Sequence, residues 1–228
     1  MSQPGLKGRK LLLTILFAGV ASCVTGTGAD AHPHVWATVR SEIVFGPDNK
    51  IAAIRHAWTF DELYTSMAVQ GLDADGDGVY SKEELVPLAQ VNVESLQEFD
   101  YFTYLHVGND DTLLPLKPPT DYWVEYDNSV LTLHFTLPLE RPLDPRPKKV
   151  LVDVYDPSFF VAFGFATNSP VKMSGSPAPG CNAATDKPDP ESQEDAKALS
   201  EAFFSQLGPN SDYGSQFAQT VTVQCSAP

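Results

Sequence analysis

Basic side chains are scarce in this chain. Its 228 residues hold 15 lysines and arginines against 29 aspartates and glutamates, a formal net charge of −14. Such a surface repels phosphate backbones and anionic lipid headgroups, so neither nucleic acid nor an anionic membrane is an expected partner. Long apolar runs are also lacking. The run Leu11–Ser22 has only 12 residues, whereas a helix needs about 20 to cross a bilayer core. No later stretch is long enough to span one. Cysteine is nearly absent, with three in all. The chain has no G-x-S-x-G, no H-E-x-x-H and no phosphate loop. Without these templates for acyl transfer, zinc proteolysis and nucleotide binding, an enzyme is not the expected reading.

What stands at the start is a leader. Lys7, Arg9 and Lys10 precede the apolar run, and Ala29-Asp30-Ala31 forms a small-x-small cleavage site. Residues 1–31 therefore read as a signal peptide, and 32–228 as a single exported, periplasmic domain. A rival reading takes Val20-Ala21-Ser22-Cys23 as a lipoprotein box, with Cys23 lipidated. Removal of the leader takes away three basic residues and one acidic residue, so the mature chain is more acidic still. Cys181 and Cys225 remain. An even pair in an exported chain reads as one disulfide. It closes a loop of about 44 residues, worth roughly 3–4 kcal/mol in the chain-entropy model.

Residues 73–84 read DADGDGVYSKEE, the pattern of an EF-hand calcium loop. Asp73, Asp75 and Asp77 occupy loop positions 1, 3 and 5, and Gly78 occupies position 6, where the chain turns sharply. Val79 offers its carbonyl at position 7, Ser81 holds a water at position 9, and Glu84 closes the site at position 12. Calcium is a hard cation that takes six to eight oxygens, and this spacing supplies them from one short segment. The alternative is an acidic surface loop that binds nothing.

Around this loop the pattern alternates as strands do. Val35, Ala37, Val39, Ile43 and Phe45 share one face, Gly46-Pro47-Asp48-Asn49 is turn chemistry, and Ile54, His56, Trp58 and Phe60 share a face of the next strand. An insertion at about 61–99 follows, with an entering helix over 61–72. Ser81-x-x-Glu84 is a capping box, so the exiting helix is expected from Lys82, with Pro87 kinking it or ending its first segment. Strands are then expected over 101–107, 113–116, 122–126, 130–137, 149–155 and 159–165. Residues 174–193 read as an exposed loop, 194–207 as an amphipathic helix, and 220–224 as a last strand. The fold class is α+β: a mainly antiparallel, sandwich-like β core with one inserted EF-hand helix pair and a C-terminal helix. A lone hand wedged into a β domain has little freedom to open, which favours a structural over a regulatory calcium.

Several segments carry a resemblance: His32-Pro33-His34-Val35-Trp36, Trp58-Thr59-Phe60-Asp61-Glu62, the loop itself, Asn92-Val93-Glu94-Ser95-Leu96, Phe99-Asp100-Tyr101-Phe102, Thr120-Asp121-Tyr122-Trp123 and Tyr155-Asp156-Pro157-Ser158-Phe159-Phe160. Together they resemble an uncharacterised exported bacterial family described as the periplasmic component of an ABC-type transport system. The resemblance covers the chain from His32 to about Phe165 and extends to Cys225. It implies a periplasmic location and a tie to transition-metal transport, with an inner-membrane transporter as partner.

Cleavage after Ala31 would give a mature start of His32-Pro33-His34, a free amine and two imidazoles around a rigid proline. Neutral imidazole suits zinc, copper and nickel. Pro33 has no N–H to lose, so the square-planar amino-terminal motif cannot form. The amine and ring of His32 with the ring of His34 could instead ligate a metal; a frayed polar terminus is the alternative. His56 shares its face with Trp58 and reads as a core histidine, although strand pairing could bring it to His34. His134 reads as exposed, and His106 gives no signal. Asp61, Glu62 and Asp156 are candidate acid/base carboxylates, with ordinary solvation as the competing explanation. Three functions stand open. The first is a calcium-binding accessory or solute-binding component of a transition-metal transport system, with zinc, copper or nickel at His32 and His34. The second is a calcium-stabilised interaction module, and the third a small N-terminal-histidine metalloenzyme.

Overall fold

The computed structural model describes residues 33–186 and 211–226. The fold is α+β, built mostly of strands in two sheets. A long first strand, β1 (Val35–Phe45), turns through residues 46–50 into β2 (Ile51–Phe60). Two helices follow, α1 (Glu62–Ala68) and α2 (Lys82–Leu96), and a 3₁₀ turn over Gln97–Phe102. The remaining strands are β3 (Thr103–Val107), β4 (Asp110–Leu114), β5 (Thr120–Asp127), β6 (Val130–Leu143), β7 (Val150–Val154), β8 (Val161–Phe165), β9 (Val171–Gly175), β10 (Cys181–Thr185) and β11 (Gln219–Cys225).

The larger sheet runs β5-β6-β2-β1, with β1 shared by two further strands. Its first half pairs in parallel with β8 and its second half in parallel with β9. The smaller sheet, β10-β11-β7-β3-β4, is antiparallel throughout. The period of two fixes which side chains face inward. Val39, Ile43, Ile54, Trp58, Leu133 and Phe135 are all buried on the inner face of the larger sheet. At one end this face meets the smaller sheet, where Ile43, Phe45, Ile51 and Ile54 join Leu105, Val150, Val152, Val221 and Val223 in one cluster. At the other end it is covered by the helices, and Val69, Leu85, Ala89 and Val93 pack with Trp58, Leu131 and Leu133.

His56 is buried near the junction of these two clusters. Its Nδ1 lies 3.1 Å from Ser41 Oγ and its Nε2 lies 3.3 Å from Thr103 Oγ1, so both ring nitrogens have a hydroxyl. His56 pairs across the ladder with Ser41, seven residues along β1 from His34. At about 3.3 Å per residue the two histidines are roughly 23 Å apart, so strand pairing does not unite them.

Other expectations are also revised. Of the two outcomes expected at Pro87, a kink or the end of a first segment, the second does not occur: α2 runs through it as one element. Leu85, Ala89 and Val93 are buried along one side, and that packing outweighs the one backbone hydrogen bond that proline forgoes. Strand β3 begins at Thr103 rather than at residue 101, because Asp100, Tyr101 and Phe102 all have left-handed backbone (φ 50°, 56° and 46°). The stretch read as an exposed loop from residue 174 includes the end of β9 and all of β10. Strand β9 is held by pairing with β1, and Cys181 of β10 faces Cys225 across the ladder, where the two form a disulfide. The core is mainly antiparallel as expected, with β8 and β9 as its two parallel additions to the larger sheet. The expected helix over 194–207, the leader and His32 lie outside the described residues.

Candidate metal centre

The segment between α1 and α2 is a net of carboxylates closed on its own backbone. Asp73 is at the centre. Its Oδ1 accepts hydrogen bonds from the N–H of Gly76 (2.8 Å) and Asp77 (3.1 Å), and its Oδ2 accepts from Gly78 (3.0 Å). Asp75 Oδ1 accepts from Asp77 N–H at 3.1 Å, and Asp77 Oδ1 from Val79 N–H at 2.7 Å. These contacts wind the loop tightly, and the turn requires left-handed backbone at Gly78 (φ 81°). A β-carbon there would meet nothing within 4 Å, so the demand is on backbone conformation rather than on space.

Glu84 closes the loop from α2. Its Oε1 accepts from Ala74 N–H at 2.7 Å, and its Oε2 accepts from the N–H (2.9 Å) and hydroxyl (2.8 Å) of Ser81. Ser81 Oγ in turn accepts from Glu84 N–H at 3.3 Å, so the expected capping box is formed. The N–H groups of Ser81 and Ala74, then the Ser81 hydroxyl, hold the Glu84 carboxyl below its ordinary range. It is therefore anionic at neutral pH, as a ligand must be.

Carboxylate oxygens of Asp73, Asp75 and Glu84 lie within 4.8 Å of one another. Hard anionic oxygens converging from one loop are a donor set that suits calcium, and a carboxylate oxygen that accepts an N–H keeps a second lone pair for a cation. Asp77 is not in this group; its Oδ1 is engaged by the backbone of Val79.

The loop is also fastened to the rest of the molecule, by contacts that spacing alone did not suggest. Tyr80 packs edge-on against Tyr126 of β5, ring centres 4.7 Å apart. Tyr64 of α1 donates its hydroxyl to Asn92 Oδ1 of α2 at 3.1 Å. Asp61 caps α1 through Tyr64 N–H (2.9 Å) and reaches back to Trp36 N–H of β1 (2.8 Å). Aromatic residues in the flanks were the only signal for the first of these, and neither partner could be chosen without the fold.

The histidines are dispersed. His34 is exposed, its ring 4.7 Å from that of Phe160. His106 Nε2 is 2.8 Å from Asp153 Oδ2 on the smaller sheet. His134, expected to be exposed, is half-buried; it stacks on Trp123 at 4.4 Å and lies 2.8 Å from Glu125 Oε1. The candidate acid/base carboxylates do not gather either. Asp61 is a helix cap, and Asp156 is buried, accepting from the Ser158 N–H and hydroxyl and from the Val161 N–H. Among the described residues no helix is long and apolar enough to cross a membrane.

Two relatives have comparable sequences. An uncharacterized protein of Haemophilus influenzae is 24% identical over 198 residues, which are 87% of this chain and 93% of that one. An uncharacterized 15.5 kDa protein of Spirochaeta aurantia, from the trpE 3′ region, is 29% identical over 101 residues, 44% of this chain and 70% of that one. Residues 17–225 match a protein family as a whole, and the chain belongs to that family, the proteins of unknown function DUF1007.

Proposed function

We propose that this protein binds one calcium ion in the loop between α1 and α2, as a single EF-hand set into a sandwich-like β core. The observation that carries the reading is the convergence of Asp73, Asp75 and Glu84 oxygens within 4.8 Å. Asp77, the carbonyl of Val79 and a water on Ser81 complete the ligand set that the loop pattern calls for. The contacts of Tyr80, Tyr64 and Asp61 with their neighbours support a bracing role for the ion rather than a sensing one. Outside the cytosol, where millimolar calcium is common, a dissociation constant of roughly 10⁻⁴–10⁻³ M suffices for such a brace.

In the wider reading the protein is exported to the periplasm and serves as an accessory of an ABC-type or other inner-membrane transporter of a transition metal, with His32 and His34 as the metal's contact. A second reading, a calcium-braced interaction module with no transition-metal role, is favoured by one observation. His34, His56, His106 and His134 sit in separate places, each against its own neighbours.

Calorimetric titration of the chelator-treated mature protein with calcium, then with zinc, copper and nickel, tests both. One calcium site lost in Glu84→Ala supports the brace. Transition-metal binding lost in a His32/His34 double alanine variant supports the transport accessory, and its retention there rejects that site. No heat with calcium rejects the calcium reading.

A further inference from the structure

The outward face of the larger sheet carries a groove of about 520 Å³, within the roughly 300–1,000 Å³ of small-molecule sites. Strand register shows how it is made. Arg40 of β1 pairs with Ala57 of β2, Ala57 with His134 of β6, and His134 with Trp123 of β5. These four residues form one row across the sheet. Ala57 is the only small member, so the row has a gap at its centre. Arg40 and His134 stand on either side, about 10 Å apart at their α-carbons from two strand spacings. The His134 wall is held by two contacts. Its ring lies parallel to the indole of Trp123 (4.4 Å, 4°) and its Nε2 is held by Glu125.

The charges of the adjoining row satisfy one another. Glu42 is bonded to Arg55 at 2.9 Å and to Lys172 at 3.0 Å, and Arg55 Nε also donates to Thr136. On the other flank the hydroxyls of Thr59 and Thr132 pair at 2.9 Å. Arg40 lines the groove, is exposed, and has no ion-pair or hydrogen-bond partner among the described residues. Asp121, two residues before Trp123, lines the groove as well and is likewise without a partner among the described residues.

We propose that this groove binds a small organic carboxylate with a planar body and a donor group at its far end. The carboxylate would sit on the guanidinium fork of Arg40, which matches it in a bidentate manner. The planar body would lie over Ala57 against the His134–Trp123 stack. An amine or hydroxyl would reach Asp121. The site is separate from the calcium loop and does not depend on it.

The test is a titration followed by NMR of the three tryptophan indole N–H signals, with para-aminobenzoate as probe and aniline as its carboxylate-free control. Trp123→Phe identifies the Trp123 signal. The expected result is a saturable shift of the Trp123 signal with para-aminobenzoate, and binding at least about tenfold weaker for aniline. Arg40→Gln, an exposed change that leaves the fold intact, should weaken para-aminobenzoate to the level of aniline. Ala57→Leu, which fills the gap in the row, should abolish the shift, with circular dichroism confirming that the variant is folded. The proposal is overturned if no saturable Trp123 shift occurs, if aniline binds equally well, or if Arg40→Gln binds the probe as the parent does.

Discussion

His56 is buried among Trp58, Phe135 and two hydroxyls, and that burial pushes its pKa down to about 3. The neutral ring is therefore the folded form, whereas the unfolded chain takes up a proton near pH 6.5. Between those values the unfolded state binds more protons, so stability is full above about pH 6.5 and is lost as pH falls toward about 3. From about pH 6.5 down to about 4.5, above the ordinary carboxylate range, the denaturation free energy should fall by about 1 kcal/mol per pH unit from this group. Urea melts at about pH 7 and pH 5 measure it. His56→Gln should be less stable at neutral pH and show a flatter dependence; an unchanged slope would mean that the ring is charged or exposed. The alternation with Trp58 made His56 legible as a core residue. Its partners Ser41 and Thr103 were not legible, being 15 and 47 residues away, because register and sheet packing, not local pattern, choose them.

At the scale of elements, the capped and alternating pieces were readable and the paired but weakly patterned ones were not. Strands β1 and β2 announced themselves by period, and α2 by its capping box. Strand β9 did not, since VKMSG lies among prolines and glycines and its stability comes from β1. Its last residue shows what the pairing demands. Gly175 has φ 77°, and a β-carbon there would collide with the Phe45 carbonyl oxygen. Gly78 has similar backbone (φ 81°) but open space around it. Gly78→Ala should cost about 1–2 kcal/mol, the left-handed backbone penalty alone. Gly175→Ala should cost more, because β9 must also move off β1. Chemical denaturation of both variants in chelator checks the order; equal losses would mean that β9 is not seated against Phe45. The same limit explains the proposed groove: alternation could put Arg40, Ala57 and His134 on outward faces, but only register sets them in one row.

For the whole molecule, two devices offset the self-repulsion of an acidic chain. One is the Cys181–Cys225 bridge, which ties the edge strand β10 to β11 across 44 residues. The pairing was legible once the leader reading set Cys23 aside and left an even pair. Its removal by a double serine change should lower stability by about 4 kcal/mol in the chain-entropy model. A reductant titration of the melting temperature gives an independent reading, and no change in either would mean that β10 is held by its ladder alone. The other device is the proposed calcium. Three carboxylates drawn within 4.8 Å repel one another until a cation neutralises them. Binding to the folded state alone stabilises by RT ln(1 + [L]/Kd), about 0.4–1.4 kcal/mol at roughly 1 mM calcium for a Kd of 10⁻³–10⁻⁴ M. For a domain of this size that is a rise of roughly 1–5 °C in melting temperature. Glu84→Ala should remove the calcium-dependent increment and also lower the melting temperature in chelator, because Glu84 is half of the capping box that starts α2. Ser81→Ala separates the two effects. It breaks the cap but leaves the acidic ligands, so it should lower the baseline while keeping most of the calcium increment. Identical melting curves for the parent with calcium and with chelator would remove the brace, and the loop would then stand as a capped acidic turn whose order comes from its own backbone.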